Sequence, residues 1–227
     1  MSEHNPSFLH EIEIRDVDIQ GQSQWYWPKG DTGAFGDATD GPMRDWIEGH
    51  STKYFKYLDN NSLVVTAGAC CGMHTRFYAN KFERVYAFEP DARSFHCMVN
   101  NTPFRNVVKF NAGLGATCGT YKLDITNTDN IGIHKIVPPN LMGENYHPIQ
   151  MLTIDSLNLP ACSLIQLDVE LYEKQVLLGA EETIDKYKPV IVVEHFSDHE
   201  FMDRLGYKKV DQSFSDSIYV RKNAPWN

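Results

Sequence analysis

Four acidic side chains and one histidine stand where short apolar runs stop. Glu89 follows Arg84-Val-Tyr-Ala-Phe88, Asp168 and Glu170 follow Ser163-Leu-Ile-Gln-Leu167, and Glu194-His195 follow Val190-Ile-Val-Val193. A carboxylate or imidazole fixed at such a place can take the proton from a hydroxyl as it attacks an electrophile. Histidine has the better matched ordinary pKa, about 6.5. Glu194 or His195 is the expected base, with Asp168 nearer a cofactor and Glu170 a further candidate. The alternative reading is that Asp168 and Glu194 merely cap the helices that follow, accepting from free backbone amides. No metal ligand set is assigned: His195 and His199 are four apart, but Glu194 closes a strand, so the two need not share a face. A hard cation, if one bound, would use Asp168, Glu170 and Glu194.

The run Leu63-Val-Val-Thr-Ala67 ends in Gly68-Ala69-Cys70-Cys71-Gly72, and Glu89 stands 21 residues beyond Gly68. Glycine permits a tight turn and a close backbone approach before a helix. An acidic strand end at that spacing suits a ribose diol, which offers two hydroxyl donors to one carboxylate. Ala69 and Cys70 stand where GxGxxG would need a second close glycine. That opposes a dinucleotide such as NAD and favours an adenosine ligand without phosphates, of which S-adenosylmethionine is the common case. Cys70 and Cys71 have no identifiable partner base and read as small fillers beside that ligand.

The elements that must position these residues alternate. Strands are expected at 63–67, 84–88, 107–111, 163–167 and 190–193, with weaker alternation at 120–125. Helices are expected at 43–58, 73–80, 92–102, 173–187 and 199–205, the last followed by a hairpin of 207–210 and 217–220. Residues 1–42 show no period: from Gly21 to Gly41 there are five glycines, Pro28, three aspartates, Trp25, Tyr26, Trp27 and Phe35. They read as a loop or arm whose aromatics pack on the core or cover a pocket. Residues 126–148 read as a long irregular loop. Short apolar strands alternating with amphipathic helices predict an α/β fold, an open and mostly parallel sheet with helices on both faces and an antiparallel edge. Ligands of such sheets sit beyond the carboxyl ends of the strands. The expected division is 1–60, an N-terminal arm and helix serving as a lid, and 61–227, the catalytic domain.

The chain has 227 residues, 21 Lys plus Arg against 30 Asp plus Glu, and a formal charge of −9. Without basic clusters it is poorly suited to a phosphate backbone, so no nucleic-acid partner is expected. Its longest aliphatic runs are far too short for a bilayer, so no membrane partner is expected either. The opening residues MSEHNPSF lack a signal pattern. Five cysteines at 70, 71, 97, 118 and 162 form no CxxC pair. Reduced thiols and a cytoplasmic location are the expectation.

The stretch from Val64 to Asn101, VVTAGACCGMHTRFYANKFERVYAFEPDARSFHCMVNN, resembles the opening of the FkbM-type S-adenosylmethionine-dependent methyltransferases. MLTIDSLNLPACSLIQLDVELYEKQVLLGAEETIDKYKPVIVVEH, from Met151 to His195, is similar to a second block of that family. The resemblance implies a Rossmann-like class I methyltransferase fold with seven strands, one of them antiparallel. It implies S-adenosylmethionine as cofactor and O-methylation of a hydroxyl on a small molecule or glycan. By position, Gly68, Ala69 and Gly72 would border the methionine moiety, and Glu89 would hold the ribose with Pro90 and Asp91 beside it. Asn111, Ala112 and Gly113 would flank the adenine, and Asp168 would lie near the sulfonium. The family usually carries an acidic residue where Thr66 stands, Asn at Cys70 and Gly at Leu171. A methyltransferase-like module that binds cofactor or sugar without turnover is the alternative these departures leave.

Overall fold

The computed structural model describes residues 11–32, 42–143 and 145–224. In chain order the elements are β1 (Ile12–Ile19), β2 (Gln22–Pro28), α1 (Pro42–Phe55), β3 (Leu63–Ala67), α2 (Met73–Ala79), β4 (Arg84–Phe88), α3 (Ala92–Asn101), β5 (Val107–Phe110), β6 (Gly113–Leu114), β7 (Gly119–Asp124), β8 (Lys135–Val137), β9 (Tyr146–Leu152), β10 (Leu164–Leu167), α4 (Glu173–Leu178), α5 (Glu181–Tyr187), β11 (Val190–Glu194), α6 (His199–Arg204), β12 (Tyr207–Ser213) and β13 (Asp216–Arg221). Single 3-10 turns lie at Ile131–Ile133 and Asp155–Leu157.

Seven strands form one sheet in the order β12-β13-β11-β10-β3-β4-β5. β3 pairs in parallel with β10 on one side and β4 on the other, and β13 runs antiparallel to both β11 and β12. Every residue of β3 and β10 is buried, as an apolar run without alternation requires when helices cover both faces. On one face Val64, Val85 and Val192 pack with Ile47, Phe77 and Met98 of the helices α1, α2 and α3. On the other, Val65, Ile165 and Ile191 pack with Val176, Ile184 and Met202 of α4, α5 and α6. The chain leaves β3 toward β4 and β5, then returns to β10 on β3's other side. The ends of β3 and β10 therefore flank the crevice where strand order reverses.

Three expectations differ from what is observed. Residues 12–28 are not a loop but a hairpin, β1–β2, with Trp25 and Trp27 buried in the α1–α3 core. The alternation at Trp25 and Trp27 is genuine but short, and the glycines and aspartates that follow mask it. Phe35, the rest of 33–41 and residues 1–10 lie outside the described residues, as do the side chains of Met43 and Trp46 on the expected helical face. The segment 126–148 carries the Ile131–Ile133 turn, β8 and the start of β9; β6, β9, β7 and β8 form a second, four-stranded sheet. The helix expected over 173–187 is two helices. Asp155 accepts from the backbone N–H of Glu182 (3.1 Å) and Thr183 (2.8 Å) and so caps α5, while a side chain at Gly179 would meet the Gly115 carbonyl. A cap supplied from 27 residues upstream leaves no mark in local periodicity.

Candidate active site

Beyond the carboxyl ends of β3, β4 and β10 lies a cavity of about 390 Å³. Its floor is Gly68, Ala69 and Cys70. One side is Glu89 and Pro90, with Ala112 and Gly113 near them, and the far side is Asn130 to His134. Asp168, Glu170 and Glu194 stand at the other end.

The floor has its shape because Gly68 has no side chain. At φ +76° its backbone lies so close to the Asp168 backbone that a Cβ would meet the Asp168 carbonyl oxygen at 1.7 Å. The glycine thus brings the ends of β3 and β10 together. Cys70, at φ +47°, turns its N–H onto Glu89 Oε2 at 2.8 Å, and the Asp91 N–H donates to Glu89 Oε1 at 2.8 Å. Each oxygen keeps a further lone pair for a hydroxyl donor. Burial, then the neighbouring Asp91 charge, pushes the Glu89 carboxyl up to about 7, against two amides that favour the charged form.

At the opposite end the carboxylates crowd. One oxygen from each of Asp168, Glu170 and Glu194 lies within 4.8 Å of the others, an oxygen set that could hold a hard cation. Burial, then a hydrogen bond and charge from Glu194, pushes Asp168 well above the usual carboxylate range. Burial and the Glu194 charge raise Glu170 as well. The Ser215 hydroxyl donates to Glu194 Oε1 at 2.9 Å. Glu170 and Leu171 have φ of +53° and +71°, and the buried Glu173 carboxylate accepts from the Val169 and Leu171 amides to hold this bend. Leu171 therefore occupies the left-handed backbone that a glycine adopts freely, its side chain exposed.

Of the residues singled out from sequence, Gly68, Ala69, Cys70, Glu89, Pro90, Ala112, Gly113, Asp168, Glu170 and Glu194 line one cavity. The others are not part of its lining. Thr66 is fully buried in the sheet and donates to Gln166 Oε1. Gly72 packs against Thr102 and Met98. Asp91 caps α3 through the Arg93 amide (2.8 Å), and Asn111 donates to the Glu89 carbonyl (2.9 Å). The His195 side chain is 69% exposed, 3.6 Å from Glu194 Oε1.

From sequence, Met73 and His74 were not expected at the site. The loop 126–148 was expected to set acceptor specificity, without any of its residues singled out. Asn130 to His134 and Ile136 line the cavity as a wall. That wall has few ladder bonds of its own and is pinned by polar side chains. Asn130 Oδ1 accepts from the Gly132 N–H at 3.0 Å. His134 puts Nε2 2.7 Å from the Asn127 carbonyl and Nδ1 3.1 Å from Asp91 Oδ2. Nε2 has an acceptor in the Asn127 carbonyl and Nδ1 lies beside the Asp91 carboxylate, surroundings that favour the imidazolium. Burial opposes that charge on His134, but Asp91 outweighs it and raises the histidine. Burial likewise opposes the Asp91 charge, and His134 and Arg93 outweigh it, holding the carboxyl far below its usual range. The asparagines and aspartates of 124–130 were the available signal, since such residues build side-chain-to-backbone turns.

Residues 67–217 match the methyltransferase FkbM domain. The chain belongs to the FkbM methyltransferase family. No curated protein matches it significantly. Among solved structures, the FkbM methyltransferase of Methylobacillus flagellatus KT is 20% identical with a TM-score of 0.46, covering 71% of this FkbM-family chain, which in turn spans 44% of that protein. TYW2 of M. jannaschii, solved in complex with AdoMet, is 12% identical with a TM-score of 0.43, over 93% of this chain and 87% of that one. The candidate methyltransferase yhhF of Escherichia coli shares the fold, with a TM-score of 0.51 at 10% identity, over 92% of this chain and 97% of that one. Among the described residues no helix is long and apolar enough to cross a membrane, and all five cysteines are free.

Proposed function

We propose that this FkbM-family chain is an S-adenosylmethionine-dependent methyltransferase acting on a hydroxyl of a small molecule or glycan. The observation that carries the reading is one cavity with a buried carboxylate at one end, Glu89, and a crowded carboxylate cluster at the other. The residues suit the cofactor. Glu89 keeps lone pairs for a ribose diol, the uncharged wall of Ala112, Gly113 and Ile131 suits an adenine, and the acidic end suits a cationic sulfonium. When bound, the cofactor supplies an electrophilic methyl group.

The protein's own work is then positional and acid–base. The floor at Gly68 and the wall at 130–134 fix the ligand's orientation, and holding two reactants in line replaces association entropy with preorganisation. Burial and the neighbouring Glu194 raise Asp168 well above the usual carboxylate range, so Asp168 keeps its proton beside Glu194. Glu194 takes the proton of the acceptor hydroxyl, with Asp168 as its partner. His195, largely exposed, lies off this path.

Calorimetric titration with S-adenosylmethionine, S-adenosylhomocysteine and NAD tests the reading. Saturable binding of the first two and not NAD is expected, and no binding of either overturns it. A screen of hydroxylated acceptors with methyl-labelled cofactor then reads transfer. Glu194→Gln is expected to lower transfer about 100-fold or more, the usual size of a general-base contribution, with cofactor affinity unchanged. Full transfer by this variant removes Glu194 from the role, and binding without transfer to any acceptor favours the non-catalytic module.

A further inference from the structure

The N-terminal hairpin lies outside the segment that matches the family, yet it reaches the cavity. Its reach is through Asp31, just after β2, which is 1% exposed. Asp31 Oδ2 accepts from Trp27 Nε1 at 2.8 Å, within the hairpin, and Oδ1 accepts from the Ile131 backbone N–H at 3.0 Å, in the cavity wall. The next residue adds a strut, with the Thr32 N–H donating to the Asp129 carbonyl at 2.8 Å. The hairpin end is itself braced. The Arg15 guanidinium stacks over Trp27 at 5.0 Å and donates to the Asp31 carbonyl, and Glu13 accepts from Arg15 Nε at 2.7 Å.

Placing a carboxylate in an apolar core is costly unless its oxygens are satisfied. Here each oxygen is used by a different element, so the group joins two pieces of chain 100 residues apart. One of them is rigid, a hairpin whose tryptophans are locked in the main core. The other is a three-residue 3-10 turn, an element too short to hold its own shape. Ile131 fills the same core cluster as Trp27, while its neighbours Gly132 and Ile133 face the cavity. The position of this wall is therefore set from the hairpin.

We propose that Asp31 is a positioning residue for the cofactor, through which the N-terminal hairpin holds the 130–134 turn against the bound ligand. The inference rests on the reading of the cavity as an S-adenosylmethionine site. Asp31 touches no ligand and acts through the Ile131 amide. Binding that presses on the turn must then also steady the hairpin, because coupling between two sites is reciprocal.

Hydrogen exchange on the full chain, with and without saturating S-adenosylhomocysteine, tests this beside calorimetry of Asp31→Ala and Asp31→Asn. In the wild type, the ligand is expected to slow exchange in 130–134 and also in 27–32. Asp31→Ala is expected to weaken S-adenosylmethionine and S-adenosylhomocysteine about tenfold or more, the cost of one lost bond to a charged group. In that variant the ligand no longer protects 27–32. Asp31→Asn keeps one acceptor for Ile131 and is expected to recover part of the affinity, which a merely structural role would not do. Wild-type protection confined to the cavity loops overturns the inference whether or not the variants fold. So does wild-type affinity in a folded Asp31→Ala. Absence of binding by the wild type overturns the cofactor reading itself, and the inference falls with it.

Discussion

Gly68 shows how one missing side chain sets the geometry of a site. Its value lies in the 1.7 Å that separates a hypothetical Cβ from the Asp168 carbonyl, together with a φ of +76°. Gly68→Ala incurs the left-handed penalty of about 1–2 kcal/mol and an overpacking cost of about 1–3 kcal/mol. The expected loss is about 2–5 kcal/mol in a denaturant titration, with cofactor affinity reduced in whatever fraction stays folded, because Asp168 must move. An alanine variant of wild-type stability and affinity would show that the β3 and β10 ends tolerate separation. From sequence, this glycine reads as room for a ligand. The structure shows room for backbone, and nothing in a strand-end glycine distinguishes the two. Leu171 is the reverse case: its departure from the family's glycine was legible, but the φ of +71° that explains the glycine was not.

At the scale of elements, the apolar strands β3, β4, β10 and β11 were legible because burial on both faces leaves unbroken hydrophobic runs. The acidic strand ends Glu89, Asp168 and Glu194 followed from them. Elements fixed by distant side chains were not legible. The break between α4 and α5 depends on Asp155, and the 130–134 wall depends on Asp31 and on the pair His134–Asp91. That pair makes the wall sensitive to pH. His134 faces Asp91 and Arg93 from the α3 side and Asp124 from β7. A histidine raised by folding gives stability that is complete below its ordinary value of 6.5 and is lost as pH rises through the raised value. The depressed Asp91 gives stability that is complete above its ordinary 3.8 and is lost only in strong acid. Protection of the amides of 130–134 against hydrogen exchange, corrected for intrinsic rate, is therefore expected to fall as pH rises from 6 to 9. His134→Ala should be weakly protected throughout and lose that slope. A slope that survives the substitution would place the titrating group elsewhere.

The whole molecule carries a charge of −9 and concentrates raised carboxyls at one end of its sheet, among them Glu89, Asp168, Glu170 and Glu173. A carboxyl raised by folding stabilises the native state below its unfolded value, and that contribution fades as pH climbs through the folded value. For Glu89 the interval runs from its ordinary 4.5 to about 7. Going from pH 8 to pH 6 is therefore expected to stabilise the ligand-free chain by about 1–2 kcal/mol through Glu89 alone. For a chain of this size that raises the unfolding midpoint by about 2–8 °C. On the proposed function the cofactor would pull the other way, since ribose hydroxyls at Glu89 would donate best to an ionised carboxylate. S-adenosylmethionine affinity should accordingly weaken as pH falls below about 7, with a proton released on binding in that range. Glu89→Gln separates these effects from the remaining charges: its amide opposes the Cys70 or Asp91 N–H and lowers stability at every pH, but both slopes should flatten. Calorimetry in buffers of different ionisation enthalpy reads the released proton directly. Binding that releases none at pH 6 would mean that Glu89 is already ionised in the free protein, or that the ribose is held elsewhere.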